Sequence, residues 1–432
     1  MFRVLRGRTL VSLLAAVGAF ASGPAAWAQS QPPAPSASTA RLESLTIASA
    51  FETAWVLQPV AASRASRLDA ALAAQRAART WTAGPPVAGV TARTDRVGSN
   101  SGEREYELGI AAPLWLPGEQ ERAARLADAQ LSTVDARVAG ARLRLAAAIR
   151  DAWWAWQRAE LEYALVVDRL ESARRLNSDV LKRQRAGELS RADQFQAEGT
   201  VAQAEVALAD AAAVRASSRQ ALAALVGIPL DRAVSQPSLR TELDPGDLAQ
   251  GEQLDSNHPV LAELAQLSEQ SRRAADLAAV QRRANTEVLV STVAERGISG
   301  EPYNNSVVLG VRVPFGAGPR AQARIATARA EADELTAQLA FERSRVLADI
   351  DGSRARLQAA RQQLVAAERR ATLALDVRGF FEKSFRLGES DLPTRLRVEL
   401  EAVEAERQAA RARVAVATAL SALRQALGLL PE

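Results

Sequence analysis

Apolar positions along this chain follow two periods in turn, and the sequence of periods occurs twice. Between Val87 and Leu114 the spacing is two: Tyr106, Leu108, Ile110 and Ala112 fall on one side of an extended segment, Glu105, Glu107 and Gly109 on the other. The same spacing returns at Val307, Leu309, Val311 and Val313. The partner segments are less regular. Ala88, Val90 and Ala92 oppose Thr91, Arg93 and Asp95, and Glu287 to Arg296 gives no clear alternation. Turn-rich stretches from Val97 to Gly102 and from Gly297 to Asn305 join the pairs, which predicts two β-hairpins over 87–114 and 287–313. After each hairpin the pattern becomes helical and Ala-rich, and no proline interrupts it from Glu119 to Arg185 or from Arg320 to Arg386. Runs of about 67 residues would each extend about 100 Å. Helices of that length build coiled coils or tunnels rather than compact domains.

The two halves are copies of one plan. A shift of 201 positions lays Gly109 on Gly310, Pro113 on Pro314, Gly187 on Gly388 and Gly227 on Gly428 without a gap. Gln58-Pro59 answers His258-Pro259 with a slip of one residue. The first repeat is placed at 41–230. It has an opening helix from Leu42 to Arg79, the hairpin at 87–114, a long helix at 119–186 and a return helix at 191–226. The second repeat, at 257–432, has an opening helix from Val260 to Arg283, the hairpin at 287–313, a long helix at 320–387 and a return helix at 393–427. Glycine at 187 and 388 marks each reversal, because it takes the left-handed conformation of a helix end at low cost. Residues 231–256 carry Pro237, Pro245, Gly246 and Gly251 and are expected to form an irregular connector.

Composition narrows the setting. Residues 1–28 read as a removable secretion signal: Arg3, Arg6 and Arg8, then an apolar run from Leu10 to Phe20, then Ala26-Trp27-Ala28 as a cleavage site. Residues 29–40 read as a flexible tether. The pI is near 10.0, yet formal net charge is only +4. The signal carries most of it, so the mature chain is close to neutral, with Arg and Glu interspersed. That is a solvated helical surface and gives no support for nucleic-acid binding. Cysteine is absent, which excludes disulfides, a thiolate nucleophile and a lipid-modified cysteine. Phosphate loops, GxSxG, HExxH and Cys/His clusters are also lacking, so no enzymatic activity and no cofactor is expected.

A hairpin with one apolar and one polar face fits two settings: a sheet resting on a soluble core, or a strand pair of a membrane barrel. In lipid an open sheet edge would leave backbone groups without partners. Four strands cannot close on themselves, so a lipid-embedded version has to be an oligomer; three copies would supply twelve strands around a lumen.

The duplicated order of helix, hairpin and long helix resembles the TolC-type outer-membrane factors over nearly the whole mature chain. So do the motifs ending each hairpin, Ala112-Pro113-Leu114-Trp115-Leu116-Pro117-Gly118 and Val313-Pro314-Phe315-Gly316-Ala317-Gly318-Pro319-Arg320. The reversals match as well, with Ala186-Gly187-Glu188-Leu189-Ser190 and Leu387-Gly388-Glu389-Ser390-Asp391-Leu392. Within that family the segment from Val311 to Leu335 is most similar to the CzcC-like, heavy-metal branch. The resemblance implies a mainly α fold with β: a homotrimer whose 12-stranded outer-membrane β-barrel is continued by a periplasmic α-helical barrel. It further implies docking to a periplasmic adaptor (membrane fusion protein) and an inner-membrane RND-type pump. Gly187, Leu189, Ser190, Gly388, Ser390 and Asp391 are expected at the docking tip. Asp193 and Asp391 are weighed as a carboxylate gate against plain helix capping. Tyr106, Leu108, Ile110, Val307, Leu309 and Val311 are expected to face lipid. The expected function is an exit duct for heavy-metal cations, with drug efflux or type I secretion as the alternative cargo. A periplasmic coiled-coil scaffold is the alternative of another class.

Two features carry less. His258, the single histidine, precedes Pro259 at a helix start and is expected to serve local structure. Trp153, Trp154 and Trp156 are expected to pack between helices.

Overall fold

A computed structural model describes residues 45–230, 241–246, 258–316 and 318–432. The expected signal, the tether and most of the connector lie outside the described residues. In chain order the elements are α1 (Ile47–Val56), α2 (Pro59–Ala78), β1 (Val87–Thr94), β2 (Arg104–Leu114), α3 (Glu119–Arg185) and α4 (Arg191–Val226). They continue with α5 (Pro259–Val280), β3 (Thr286–Arg296), β4 (Asn304–Arg312), α6 (Gly318–Leu387) and α7 (Leu392–Ala426).

The single opening helix expected from Leu42 to Arg79 is instead two. α1 begins in a capping box between Thr46 and Ser49 and stops at Leu57. Pro59 then restarts the helix at its first turn, where its missing N–H costs nothing. Pro259 holds the same place in α5, behind His258. Strand β1 ends at Thr94, because Asp95 turns the chain. Its carbonyl accepts from the Gly98 and Asn100 amides, and its carboxylate accepts from the Gly102 amide at 3.1 Å. Strand β4 starts at Asn304 and leaves Val313 outside the ladder, next to Pro314.

The four strands form one antiparallel meander in the order β1-β2-β3-β4. Strand β2 pairs with β3 from Arg104↔Arg296 to Leu114↔Thr286, so the hairpins of the two repeats join side by side. The outer edges of β1 and β4 have no neighbour among the described residues. Glu119 fastens sheet to helices. Buried at the start of α3, its carboxylate accepts from the Leu116 amide (2.8 Å), Gln281 Nε2 (2.7 Å) and Asn285 Nδ2 (2.6 Å).

Each long helix folds back against its return helix, α3 on α4 and α6 on α7. Alanine dominates both seams: Ala173 and Ala204 with Leu170 in the first, Ala367, Ala371, Ala405 and Ala409 in the second. Small side chains let the helix axes approach closely along their whole length. Bulk is concentrated in the middle, where Phe51, Leu143, Ile149, Trp154, Leu222 and Val226 are fully buried, and where Leu261 of α5 packs on Val346 and Ile350 of α6. The 67 residues of α3 and 70 of α6 give lengths of about 100 Å.

Candidate functional site

Cross-strand partners share a face, so the ladder registers assign every sheet residue. One face collects Ala88, Val90 and Ala92 from β1, Tyr106, Leu108, Ile110, Ala112 and Leu114 from β2, Val288, Val290 and Ala294 from β3, and Val307, Leu309 and Val311 from β4. Of these, Val90 is 79% exposed and Leu309 73%. Among the described residues no other element covers this face. It is bounded by Tyr106 and Tyr303 at the loop end, ring centroids 6.0 Å apart, with Arg296 over the Tyr303 ring. At the helix end stand Trp81 and Phe315, both exposed, and Trp115, whose Nε1 donates to the Thr80 carbonyl at 2.9 Å.

The opposite face carries the charge. Arg93 meets Glu105 at 3.8 Å and Arg312 meets Glu287 at 2.9 Å, while Glu107 and Glu295 add unbalanced carboxylates. Glu295 lies directly across from Glu105. Strand β3 gave no clear alternation in sequence because Leu289 and Val293 sit on this polar face among Glu287, Ser291 and Glu295.

At the far end of the helices the two reversals lie together. Gly187 and Gly388 adopt nearly the same left-handed backbone, with φ of 82° and 80°. Ser190 caps α4 in a box with Asp193, whose Oδ2 accepts from the Ser190 amide at 3.0 Å and hydroxyl at 2.7 Å. Asp391 caps α7 through the Thr394 amide at 3.1 Å. The Thr394 hydroxyl and amide together hold the Asp391 carboxyl below its usual range. Both aspartates thus perform the capping that was weighed against a gate. Leu189 packs on the cluster of Val180, Ala197, Phe385, Leu392 and Leu396, which joins the two hairpins. Ser390 Oγ is buried without a hydrogen-bond partner among the described residues.

Arg183 ties the tips together and was not singled out from sequence. Its Nη1 donates to the Phe385 carbonyl (2.9 Å) and its Nη2 to the Arg386 carbonyl (3.1 Å). The guanidinium lies 4.8 Å from the Phe385 ring centre and 3.3 Å from Glu188. It therefore caps the last carbonyls of the sister hairpin's α6. The only sequence hint is a basic residue near a helix end, which many helices have.

Midway along the helices sits a buried ionic cluster, also missed. Glu242 accepts from Arg150 Nε (3.1 Å) and Nη2 (2.7 Å), meets Arg424 at 3.5 Å, and accepts from the Ser421 hydroxyl. Trp154 donates to Ser421 Oγ at 2.8 Å. Arg150 also reaches the Leu429 carbonyl at 3.0 Å, so one residue of the connector holds α3, α7 and the chain end. His258 is buried nearby at the start of α5. Burial pushes its pKa down, and the Ala426 carbonyl and Glu342 oppose that shift. Trp153, Trp154 and Trp156 are all buried, the first and third edge-to-face at 5.5 Å.

Among the described residues no group of three His, Cys, Asp or Glu side chains could hold a metal ion, and no helix is long and apolar enough to cross a membrane. No family model matches the sequence, and no curated protein does. Solved structures do match along the whole fold. The outer membrane protein VceC of Vibrio cholerae is similar at 18% identity and a TM-score of 0.70, over 89% of this chain and 97% of that one. The outer membrane channel CmeC of Campylobacter jejuni is similar at 12% identity and a TM-score of 0.72, over 89% and 86%. CusC, solved in a study of transmembrane channel formation, is similar at 14% identity and a TM-score of 0.72, over 89% and 92%. This chain therefore has the mainly helical fold, with one small sheet, of the outer-membrane channels.

Proposed function

We propose that three copies of this chain form the outer-membrane exit duct of a tripartite efflux system, a passive conduit with no reaction of its own. The observation that carries this reading is the four-stranded sheet, uncovered and apolar on one face, charged on the other and unpaired at both edges. In water such a sheet exposes a broad apolar patch and two templates for aggregation. In a bilayer, pairing β1 of one copy with β4 of the next removes every edge and turns the apolar face to lipid. From Tyr106 to Leu114 the strand rises about 27 Å, or about 20 Å of height at a tilt near 40°, close to the apolar band of known barrels. Aromatic side chains at both limits suit the two interfaces.

The helices then continue the ring into the periplasm. Phe195, Val206 and Val214 on α4, and Phe341, Val365, Leu373 and Phe380 on α6, are exposed in the single chain and suit contact between copies. The tip of Gly187, Leu189, Ser190, Gly388, Ser390 and Asp391 would meet the periplasmic adaptor, and through it the inner-membrane pump. Each aspartate cap uses one carboxylate oxygen, Oδ2 of Asp193 and Oδ1 of Asp391, so a part in gating the mouth is compatible with capping.

For the cargo we favour heavy-metal cations. The resemblance of Val311 to Leu335 to the CzcC-like branch supports this, as does the carboxylate excess on the polar sheet face, which would line the lumen and favour cations. Fractionation tests the duct itself: a heat-labile trimer in the outer membrane is expected, and a soluble periplasmic monomer would refute it. Comparing a deletion strain against zinc, cobalt, cadmium, copper and a drug panel tests the cargo. Sensitivity to organic drugs alone would refute the metal assignment.

A further inference from the structure

Two side chains at the tips hold nothing together among the described residues. The chain contains 54 lysines and arginines, and only two of them, Lys182 and Lys383, are lysines. They coincide under the same 201-residue shift that superposes the repeats. Each lies about one and a half turns ahead of its reversal glycine. Both are exposed, and neither ammonium has a partner among the described residues.

The arginines around them behave differently. Arg183 is taken up by two carbonyls of the sister tip, Arg386 and Arg395 by Glu382, and Arg378 by Glu399 and Glu406. A guanidinium offers a planar fork that captures nearby carboxylates and carbonyls. An ammonium is a compact, strongly hydrated charge on a flexible stem, and stays in water. Meanwhile four of the tip carboxylates are committed: Asp193 and Asp391 to caps, Glu188 to Arg183, Glu382 to two arginines. Exposed Arg185 and Arg191 are likewise unpartnered among the described residues, and the exposed carboxylates of Asp179 and Glu389 offset only two of these four cations. The tips therefore present free positive charge in a chain that is otherwise close to neutral.

We propose that Lys182 and Lys383 are the contact residues by which the tips bind a protein partner whose docking end carries unpaired carboxylates. Three copies set six ammonium groups around the tunnel mouth. Point charges on flexible stems steer an acidic partner and fix its rotational register without competing for the tip's own carboxylates. This rests on the docking role proposed above for the tips.

The test uses the full chain, restored to a strain lacking it, with survival measured against the compound to which the deletion sensitises most. Outer-membrane trimer is quantified for every variant. Lys182→Glu with Lys383→Glu is expected to lower survival by about tenfold or more, because reversing six charges turns steering into repulsion. The paired Lys→Gln variant should fall between, and the paired Lys→Arg variant should stay within about twofold of wild type, since its charge is kept. A second arm replaces Leu189 by Asp, which disrupts the tip without touching the lysines. Wild-type survival of the Glu pair beside failure of Leu189→Asp overturns the lysine assignment and leaves docking intact. Wild-type survival of both overturns the docking role and this proposal with it. An Arg pair as defective as the Glu pair overturns charge as the recognised property.

Discussion

Replacing Arg183 by alanine removes four contacts that hold the two hairpin tips together. Two are charge-assisted hydrogen bonds to the Phe385 and Arg386 carbonyls, at 2.9 and 3.1 Å. With the Arg183 side chain 24% exposed, solvent screening leaves each about 1 kcal/mol. The ring contact with Phe385 adds about 0.5 kcal/mol, and the pair with exposed Glu188 adds little. The sum is about 2–3 kcal/mol per protomer, a rise of about 30- to 150-fold in the population with separated tips. The Phe385 and Ser384 carbonyls also accept from the Gly388 and Glu389 amides, in the same turn that Arg183 caps, so hydrogen exchange at those two amides reports fraying of that turn once the cap is lost. Their protection should fall by up to that factor in Arg183→Ala, and less in Arg183→Lys, which keeps charge but loses the fork. If the tips gate the duct, Arg183→Ala should also raise open-level conductance in planar bilayers. Wild-type exchange at Gly388 and Glu389 would refute the assignment of Arg183 as the cap of the last turn of the sister hairpin's α6.

Further expectations follow from the sheet and the middle of the helices. Ile110→Arg sets a charge midway along the apolar face and should cost about 2–4 kcal/mol per copy at the bilayer midplane; it should sharply reduce membrane-inserted trimer, whereas Glu107→Arg on the other face should not. Equal trimer yields on heat-modified gels would contradict the face assignment. Glu242→Ala strands Arg150 and Arg424 in a dry site, with an expected loss of about 3–5 kcal/mol; a thermal midpoint like that of wild type would count against the cluster as a structural clamp. His258 has a folded pKa below its unfolded value of about 6.5, so the stability it contributes is complete above that pH and is lost as pH falls through the lower folded value. The thermal midpoint should drop from pH 7 to pH 5, and His258→Asn should reduce the drop; an identical drop in both proteins would exclude His258 as the source.

The sequence by itself determined whatever depends on neighbours along the chain. Helix length follows from the uninterrupted Ala-rich runs, and the reversals follow from glycines that must take a left-handed backbone. The apolar faces of β2 and β4 follow from apolar residues at every second position, and the duplication from matching landmarks. Tertiary structure decided what depends on residues far apart. Strand β3 could not be oriented from its own pattern, because Leu289 and Val293 share the polar face, and only pairing with β2 fixes its register. Arg183 finds its carbonyl partners 202 and 203 positions away, and Glu242 finds Ser421 at 179. A basic residue near a helix end, or a lone glutamate in a proline-rich connector, looks like any solvated charge until the fold brings its partner to it. Local backbone preference is written residue by residue; the pairing of charges and strands is set by packing, which no short stretch of chain encodes.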